Sequence, residues 1–285
     1  MSVSPDSSSM RSAQKGIWQQ WAEKLKRNPT PENYAHAYVE VCQFLQKHGD
    51  PAKARHPDGT IFGPSGDVHD WEKEIIILLA GERGKRVLEV GCGDGRMTLE
   101  IVSRGAVVKG IDISSVAIQY ARKIAVNQDL PAQFEVANAV VLAEDTDSYD
   151  YVVSSDMVEH LNPEHVPTHL REVRRVLKPG GAYIISLPSW VPEDKVDPLH
   201  LGNYHAKEFS TMLRHARFIV KPAALVLFER TNDWTPVVGL PRTFKAKLGR
   251  AVARLPKFGP IFVRKLINRR CRRMNFYYAA KPILS

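Results

Sequence analysis

A glycine-rich turn between a short apolar run and a helical pattern constrains the fold of this chain more than any other feature. The stretch VLEVGCGDGRMTLEI, Val87 to Ile101, passes an acid at Glu89 and turns through Gly91, Gly93 and Gly95. Glycines at a strand-to-helix turn let backbone N–H groups approach a ligand closely, because they carry no Cβ. The turn therefore predicts a nucleotide-type site at the end of the first strand.

Short apolar runs alternate with helical patterns from Lys85 onward. The runs are VLEV, VVKGID, FEVA, YDYVVSS, AYIISLP and IVKPAALVLF, with helices expected near Arg96, Ser115, Val166 and Lys207. Such alternation predicts an α/β fold with a mostly parallel sheet and helices on both faces. The last apolar run, NFYYAAKP, has no helix after it and is expected to close the sheet as an edge strand.

Two common nucleotide motifs do not match the glycine turn. A dinucleotide site of the G-x-G-x-x-G type that begins at Gly91 needs its third glycine at the sixth position, where the chain has Arg96. A phosphate-binding loop needs G-K-[ST], and this helix opens instead with Arg-Met-Thr. The turn therefore disfavours NAD and excludes a triphosphate cradle.

The remaining pattern is E-x-G-x-G-x-G, with Glu89 at the end of the first strand and Asp112 at the end of the second. It resembles motif I of the class I S-adenosylmethionine-dependent methyltransferases, and the similarity continues through LKPGGAYIISLPS, Leu177 to Ser189. The resemblance implies a Rossmann-like, doubly wound, mostly parallel seven-stranded sheet with an antiparallel terminal strand. It also implies S-adenosyl-L-methionine as cofactor, a sulfonium without phosphates that tolerates nearby acids.

The resemblance further implies which residues contact this cofactor. Glu89 would reach the methionine ammonium through water or the turn backbone, Asp112 would accept the ribose hydroxyls, and Ser155 would lie against the methionine portion. The full implied set is Glu89, Gly91, Cys92, Gly93, Gly95, Asp112, Ile113, Asn138, Ala139 and Ser155.

Asn138 is a departure from the family pattern. The family carries an acid after the third strand that meets the adenine amino group, and the matching position in VANAVVL is Asn138. Its Oδ1 can accept from that amine, or its amide can donate to a ring nitrogen. The alternative is a turn-forming Asn that contacts no ligand.

The segment after the fourth strand, SSDMVEHL, borders the reacting methyl group in this fold and offers Asp156, Glu159 and His160. Some O-methyltransferases of quinone biosynthesis carry a similar acid-x-x-acid-His stretch and are thought to hold a divalent cation against a phenolic hydroxyl. The resemblance thus implies a metal site at Asp156, Glu159 and His160. The alternatives are that His160 serves as a general base or orients the acceptor, and that the segment is only structural.

A loop after the fifth strand supplies further histidines. The stretch DPLHLGNYH contains His200 and His205, and in the resembling families this loop roofs the acceptor pocket and often contributes a histidine. His200 and His205 are therefore candidate catalytic bases alongside His160. The alternative is that they are ordinary surface histidines, and Trp190 nearby either stacks on the acceptor or only packs.

The end of the fourth strand also bears on the acceptor. Many enzymes that methylate exocyclic amines of bases carry Asn/Asp-Pro-Pro-Tyr/Phe there, and many that methylate pyrimidine carbon carry a Pro-Cys nucleophile. The chain has Ser155-Asp156-Met157 instead. This disfavours nucleobase chemistry and favours a hydroxyl on a small molecule, a sugar or a lipid.

Basic residues are concentrated in one segment before the last strand. Positions 242–273 contain 12 Lys and Arg and no Asp or Glu, so subtracting them from the net charge of +9 leaves −3 for the remainder. Two amphipathic helical patterns run through the segment, which suits an anionic membrane surface. The alternatives are nucleic-acid binding through the same charge, and helices that dock on the sheet edge or form a dimer.

Composition suggests a domain plan and a compartment. We expect a disordered tail at 1–12, an N-terminal helical cap and linker at 13–66, and a methyltransferase domain at 67–285 with a basic helical insertion at 230–273. Three scattered cysteines indicate a reducing, cytoplasmic setting, with peripheral attachment to the membrane as an extension. No apolar run is long enough to span a bilayer. An RNA methyltransferase and a non-catalytic cofactor-binding module remain the alternative functions.

Overall fold

The computed structural model describes residues 70–193, 196, 200–223, 226, 229–230 and 274–283, with the helical positions 16, 17, 20, 21, 24, 27, 33, 36 and 40. The expected tail at 1–12, the linker up to residue 66 and nearly all of the basic insertion at 230–273 lie outside these residues. Within the expected cap, the indole N–H of Trp21 donates to the carboxylate of Glu40 at 2.6 Å. The extent of that cap stays a prediction.

Seven strands form one sheet in the order β3-β2-β1-β4-β5-β7-β6. The strands are β1 Arg86–Val90, β2 Val107–Asp112, β3 Gln133–Val136, β4 Tyr149–Ser155, β5 Leu177–Pro188, β6 Ile219–Pro222 and β7 Met274–Ala280. Strands β1 to β5 pair in parallel, and β7 is antiparallel to both β5 and β6. The carboxyl ends of β1, β2, β3 and β4 therefore lie at the same edge, where the sequence placed the site.

Helices cover both faces of the sheet, as the alternating pattern predicted. They are α1 Asp70–Ala80, α2 Arg96–Ser103, α3 Ser115–Asn127, α4 Val166–Val176 and α5 Ala206–His215. On one face Val87 of β1 packs in a cluster with α1 and α2, and on the other its neighbour Leu88 packs with α4 and α5. Alternate residues of a strand point to opposite faces of the sheet. Because helices cover both faces, residues on both sides are buried and these strands read as continuous apolar runs.

The end of the sheet differs from the sequence expectation in two respects. The terminal strand β7 is antiparallel as expected, but it lies between β5 and β6, so β6 forms the edge. The run IVKPAALVLF is not one strand: β6 ends at Pro222, and positions 223, 226, 229 and 230 are helical. Proline has no N–H to continue the ladder, and Ala223 and Val226, spaced by nearly one helical turn, are both buried.

No helix among the described residues is both long enough and apolar enough to cross a bilayer.

Candidate functional site

The glycine turn joins β1 to α2 with three residues in the left-handed region of φ. Gly91, Gly93 and Gly95 have φ of 76°, 54° and 79°, a conformation that L side chains rarely adopt. A Cβ on Gly91 would also lie 2.4 Å from Cγ of Met157, in the segment after β4. The turn therefore needs glycine for its backbone, and it packs directly against the segment that carries the candidate catalytic residues.

Glu89 is buried beneath this turn and is 3% exposed. Thr98, in the first turn of α2, donates its hydroxyl to the Glu89 carboxylate. Thr98 itself is fully buried, and a Cβ on Gly110 of β2 would come within 2.8 Å of its Oγ1. Sequence reasoning misses Thr98, for which the available signal is a hydroxyl in the first turn of the helix after the glycine turn.

Asp112 ends β2 with both carboxylate oxygens held by backbone. The N–H of Gly93 donates to its Oδ2 at 2.9 Å, and the N–H of Ser114 donates to its Oδ1 at 2.8 Å. Burial raises the pKa of Asp112, and these two donors oppose the rise. Each oxygen keeps a further lone pair, so the carboxylate can still accept a ligand hydroxyl. Ser114, which also caps α3 by accepting from the N–H of Ala117, is a second residue that sequence reasoning missed.

Cys92, in the middle of the turn, is buried, and its pKa is raised well above its ordinary value by burial and by the charges of Glu89 and Asp112. The thiol is therefore protonated and is not a nucleophile at neutral pH.

Asn138 and Ala139 form a tight turn after β3. The side-chain Oδ1 of Asn138 accepts from the N–H of Val140 at 2.9 Å, and the backbone carbonyl of Asn138 accepts from the N–H of Val141 at 3.1 Å. Asn138 therefore does form the turn, which was the alternative to ligand contact, and its Oδ1 is already engaged. If Asn138 meets an adenine ring, its amide group can donate to a ring nitrogen, and the second lone pair of Oδ1 can still accept from the amine. Ile113, after Asp112, is 40% exposed.

Ser155 ends β4, and Asp156 follows it beside β5. The hydroxyl of Ser186 donates to Ser155 Oγ at 2.9 Å, and the N–H of Asp156 donates to the carbonyl of Ser186 at 3.2 Å. Asp156 has a φ of 52°, and its Oδ1 is buried with no hydrogen-bond partner among the described residues. A strained backbone and an orphaned carboxylate oxygen at one residue are typical of a functional site.

Glu159, His160 and His200 lie together, with one ligand atom of each within 4.8 Å of the others. The two imidazole rings meet edge to face with centroids 5.0 Å apart. Glu159 is 1% exposed, and neither of its carboxylate oxygens has a hydrogen-bond partner in the part of the chain that is described. Burial, and then the charge of Asp156, raise its pKa well above the ordinary value. The loop that carries His200 is bonded to this group through the N–H of Gly202, which donates to the backbone carbonyl of Glu159 at 2.9 Å.

The group that the structure brings together differs from the set of metal ligands expected from sequence. The expected ligands were Asp156, Glu159 and His160, whereas the group that the structure brings together has His200 in place of Asp156. A carboxylate with two histidines offers the oxygen and imidazole ligands of common catalytic metal sites. The orphaned oxygens of Glu159 are the structural observation that supports such a ligand.

The other loop residues are arranged differently. His205 is exposed, precedes α5 and stacks on Trp190 with ring centroids 4.4 Å apart, so it does not join the Glu159 group. Tyr204 is buried, its hydroxyl has no partner among the described residues, and burial with the charges of Glu208 and Glu159 raises its pKa to about 12. His205 stays a prediction as a base, and Tyr204 packs against Phe209 of α5 with ring centroids 5.5 Å apart.

Comparison with known proteins gives a family match and curated relatives that share a name. Residues 87–181 match a family described as "Methyltransferase domain". The chain is 32% identical over 133 residues to a ubiquinone biosynthesis O-methyltransferase of Nitrosococcus oceani, covering 46% of this chain and 56% of that protein. It is 30% identical over 219 residues to the protein of the same name from Dechloromonas aromatica, covering 72% of this chain and 90% of that protein.

Coverage and fold similarity set the limits of these matches. The chain spans only about half the length of the first curated relative, 56%, but nearly all of the second. Among solved structures, the [4+2]-cyclase SpnF has a TM-score of 0.61 at 19% identity, covering 90% of this chain and 98% of that one. At that identity the likeness shows the fold alone.

Proposed function

Because the chain belongs to the class I S-adenosylmethionine-dependent methyltransferases, we propose that it transfers a methyl group from S-adenosyl-L-methionine to a hydroxyl oxygen of a small-molecule, sugar or lipid-linked acceptor. The observation that carries this proposal is the group of buried Glu159 with half-buried His160 and His200, packed beside the glycine turn through Met157. A methyltransferase that acts on oxygen needs groups that orient the acceptor and take its proton.

The residues at the ends of β1, β2 and β3 would hold the cofactor. The left-handed glycine turn leaves backbone close to the ligand, Asp112 presents oxygens held in place by Gly93 and Ser114, and Asn138 and Ala139 border the adenine. When bound, S-adenosyl-L-methionine supplies a methyl group on a positive sulfonium, which is a good leaving group.

The histidines of the group would handle the acceptor proton. Glu159 retains its own proton more strongly than an ordinary carboxyl because it is buried, so an imidazole nitrogen of His160 or His200 is the better acceptor at neutral pH. Glu159, His160 and His200 would also be the ligands of a divalent cation. When bound, such a cation lowers the pKa of the hydroxyl that it contacts.

For the acceptor, we propose a hydroxyl on an aromatic ring, with precursors of quinones as first candidates. The two curated relatives above are named for ubiquinone biosynthesis. The segment after β5 adds a flat apolar surface, because Trp190 is 42% exposed although one of its faces stacks on His205. Aromatic side chains of this kind favour stacking with a planar acceptor.

The proposal is tested by transfer of a labelled methyl group. We expect label from S-adenosyl-L-methionine to enter a catechol or a prenylated catechol, and His160→Ala to lower turnover by about 100-fold or more while cofactor binding changes little. Treatment with EDTA separates the roles of the group: loss of activity that Mg²⁺ or Zn²⁺ restores assigns the group to a metal, and unchanged activity assigns the histidines as bases.

Two outcomes contradict it. Label that enters only the RNA fraction of a cell extract would favour the alternative of an RNA methyltransferase. Cofactor binding without label in any fraction would favour the non-catalytic module.

We also propose that the protein acts in the cytoplasm and docks peripherally on an anionic membrane through its basic insertion. The basic charge of positions 242–273 supports membrane docking. Docking would also bring the enzyme to a lipid-linked acceptor. Reversing Arg269 and Arg270 to Glu should lower the affinity for phosphatidylserine vesicles, measured by sedimentation, by about 30-fold or more. Each basic residue contributes about 1 kcal/mol near such a surface. Reversal of Lys123 and Lys207, which are exposed elsewhere, is the control. Equal loss in both variants, or none in either, would contradict docking through the insertion.

A further inference from the structure

A chain of buried side chains connects β4, β5 and α4 to the turn after β3. His169 of α4, Tyr183 of β5 and Ser154 of β4 are all fully buried. His169 Nδ1 lies 2.8 Å from the carbonyl oxygen of Ala139, and His169 Nε2 lies 3.0 Å from the Tyr183 hydroxyl. That hydroxyl lies 2.6 Å from Ser154 Oγ. None of these three side chains has a place in the chemistry proposed above.

The carbonyl at one end determines the direction of every hydrogen bond in the chain. A carbonyl oxygen can only accept, so His169 Nδ1 carries the proton and donates to Ala139. Burial lowers the pKa of His169 to about 4, so the ring is neutral at physiological pH and its Nε2 is an acceptor. Tyr183 therefore donates to Nε2, and Ser154 donates to Tyr183. One tautomer satisfies all four groups.

This chain fixes one peptide plane in the turn. The peptide between Ala139 and Val140 has its carbonyl held by His169 and its N–H held by Oδ1 of Asn138. The turn is further tied to the candidate ribose site, because the N–H of Ala137 donates to the backbone carbonyl of Asp112 at 3.0 Å. His169 thus bonds this turn to the helical layer, and Glu172 of the same helix accepts from the N–H of Leu142 just after it at 3.1 Å.

The constraint leaves two donors for a ligand. Within the part of the chain that the structure describes, the N–H of Ala139 and the amide group of Asn138 have no hydrogen-bond partner, while Asn138 Oδ1 is engaged. Adenine has acceptor nitrogens in its ring, whereas hypoxanthine carries a proton at N1. Donors held rigidly at this turn would favour adenine over hypoxanthine.

We propose that His169 is a positioning residue that holds the Asn138–Ala139 turn in the form that selects an adenine base. The inference rests on the proposed function, because it takes the bound molecule to be S-adenosyl-L-methionine or its product. His169 does not touch the ligand in this arrangement. It acts through the peptide that it holds, and Tyr183 and Ser154 keep it in the required tautomer.

Two substitutions separate the bond to the turn from the bond to Tyr183. In His169→Asn the amide nitrogen takes the place of Nδ1, so donation to Ala139 is retained and the contact with Tyr183 is lost. In His169→Gln the terminal amide takes the place of Nε2, so the contact with Tyr183 is retained and Ala139 loses its donor. Each variant leaves buried polar groups without partners, so both should unfold at lower temperature than the wild type.

The measurement is calorimetric binding of S-adenosylhomocysteine and of S-inosylhomocysteine, which differ only in the base. We expect the wild type to prefer the adenine compound, His169→Gln to bind it about 10-fold more weakly and to lose most of the preference, and His169→Asn to keep both within about 3-fold. A general loss of packing would affect the two variants alike and would not change the ratio of the two ligands.

The outcomes are distinguishable. If the wild type binds neither compound, the proposed function fails and the inference fails with it. If the wild type binds and His169→Gln keeps the same preference, or both variants lose it equally, the inference alone is overturned. A measurement that needs no variant is the ¹⁵N NMR spectrum of the wild-type imidazole at neutral pH: protonated Nδ1 with bare Nε2 supports the arrangement, and the opposite tautomer overturns it.

Discussion

Replacing Glu159 by Leu is expected to make the protein more stable and to abolish methyl transfer. The wild-type carboxyl is 1% exposed and neither oxygen has a partner within the described residues, so it contributes an unpaired polar group to the core. Removing such a group is worth about 1–3 kcal/mol of unfolding free energy. Because the same carboxyl lies with His160 and His200, turnover should fall by about 100-fold or more.

The stability that Glu159→Leu gains should depend on pH, because the pKa of Glu159 is raised in the folded protein. Above its ordinary value of 4.5, the folded protein holds the proton more strongly than the unfolded chain does. The contribution of Glu159 to stability therefore decreases as pH rises from 4.5 to the folded-state pKa, and then remains constant. Glu159→Leu lacks this dependence, so its advantage over the wild type should increase through that range. Urea unfolding at several pH values, with EDTA present to remove any stabilising metal, measures it.

Two variants control for charge and shape. Glu164→Gln removes an exposed carboxylate five residues away and should change neither stability nor turnover appreciably. Glu159→Gln keeps the shape and polarity of the side chain, so it should lose activity without the gain in stability. If Glu159→Leu is less stable than the wild type under EDTA, the carboxyl has a partner that the described residues do not include. If it is fully active, the catalytic group is elsewhere.

The second large effect is expected for Asp112→Ala, which should weaken S-adenosylhomocysteine binding by about 100-fold or more. Under the proposed assignment, this substitution removes two hydrogen bonds from ribose hydroxyls to the carboxylate, at about 1.5–3 kcal/mol each. The substitution also removes the acceptor for the N–H groups of Gly93 and Ser114, so some loss of stability is expected, about 1–3 kcal/mol. Isothermal calorimetry and urea unfolding measure the two effects separately.

Asp145→Ala provides the matched control, since Asp145 is an exposed carboxylate in a loop. It should bind the cofactor product as the wild type does. Asp112→Ala that is folded and binds with unchanged affinity would refute the ribose assignment. A loss of stability without a loss of affinity would leave Asp112 with only its backbone role in the turn.

Much of the fold could be predicted because it depends on local patterns. The helices near Arg96, Ser115, Val166 and Lys207 all form, and the parallel sheet follows from the alternation of strand and helix. The position of β7 could not be predicted, because β7 pairs with β5 at sequence separations of 86 to 98 residues and with β6 at separations of 55 to 61 residues. The helical start after Pro222 was overlooked because a short apolar run fits a strand and a buried helix equally well.

The cofactor end of the site was likewise accessible from sequence. Glu89, the three turn glycines and Asp112 lie within one strand-helix-strand unit, so their relative positions are set by the geometry of that unit. The residues that hold them in place were missed. Thr98, Ser114 and His169 carry no motif, and their roles exist only through hydrogen bonds to groups that other parts of the chain supply.

By itself, then, the sequence determined the class of fold, and it predicted which end of the sheet holds the cofactor and which segment lies beside it. These follow from periodicity and from short spacings, which the backbone converts into positions with little freedom. Only the tertiary structure decided that His200 rather than Asp156 or His205 joins Glu159 and His160, that the Glu159 oxygens have no partner among the described residues, and that His169 holds the turn after β3. Those arrangements arise where segments distant in sequence pack together, because burial and hydrogen bonding there depend on side chains that no local pattern relates.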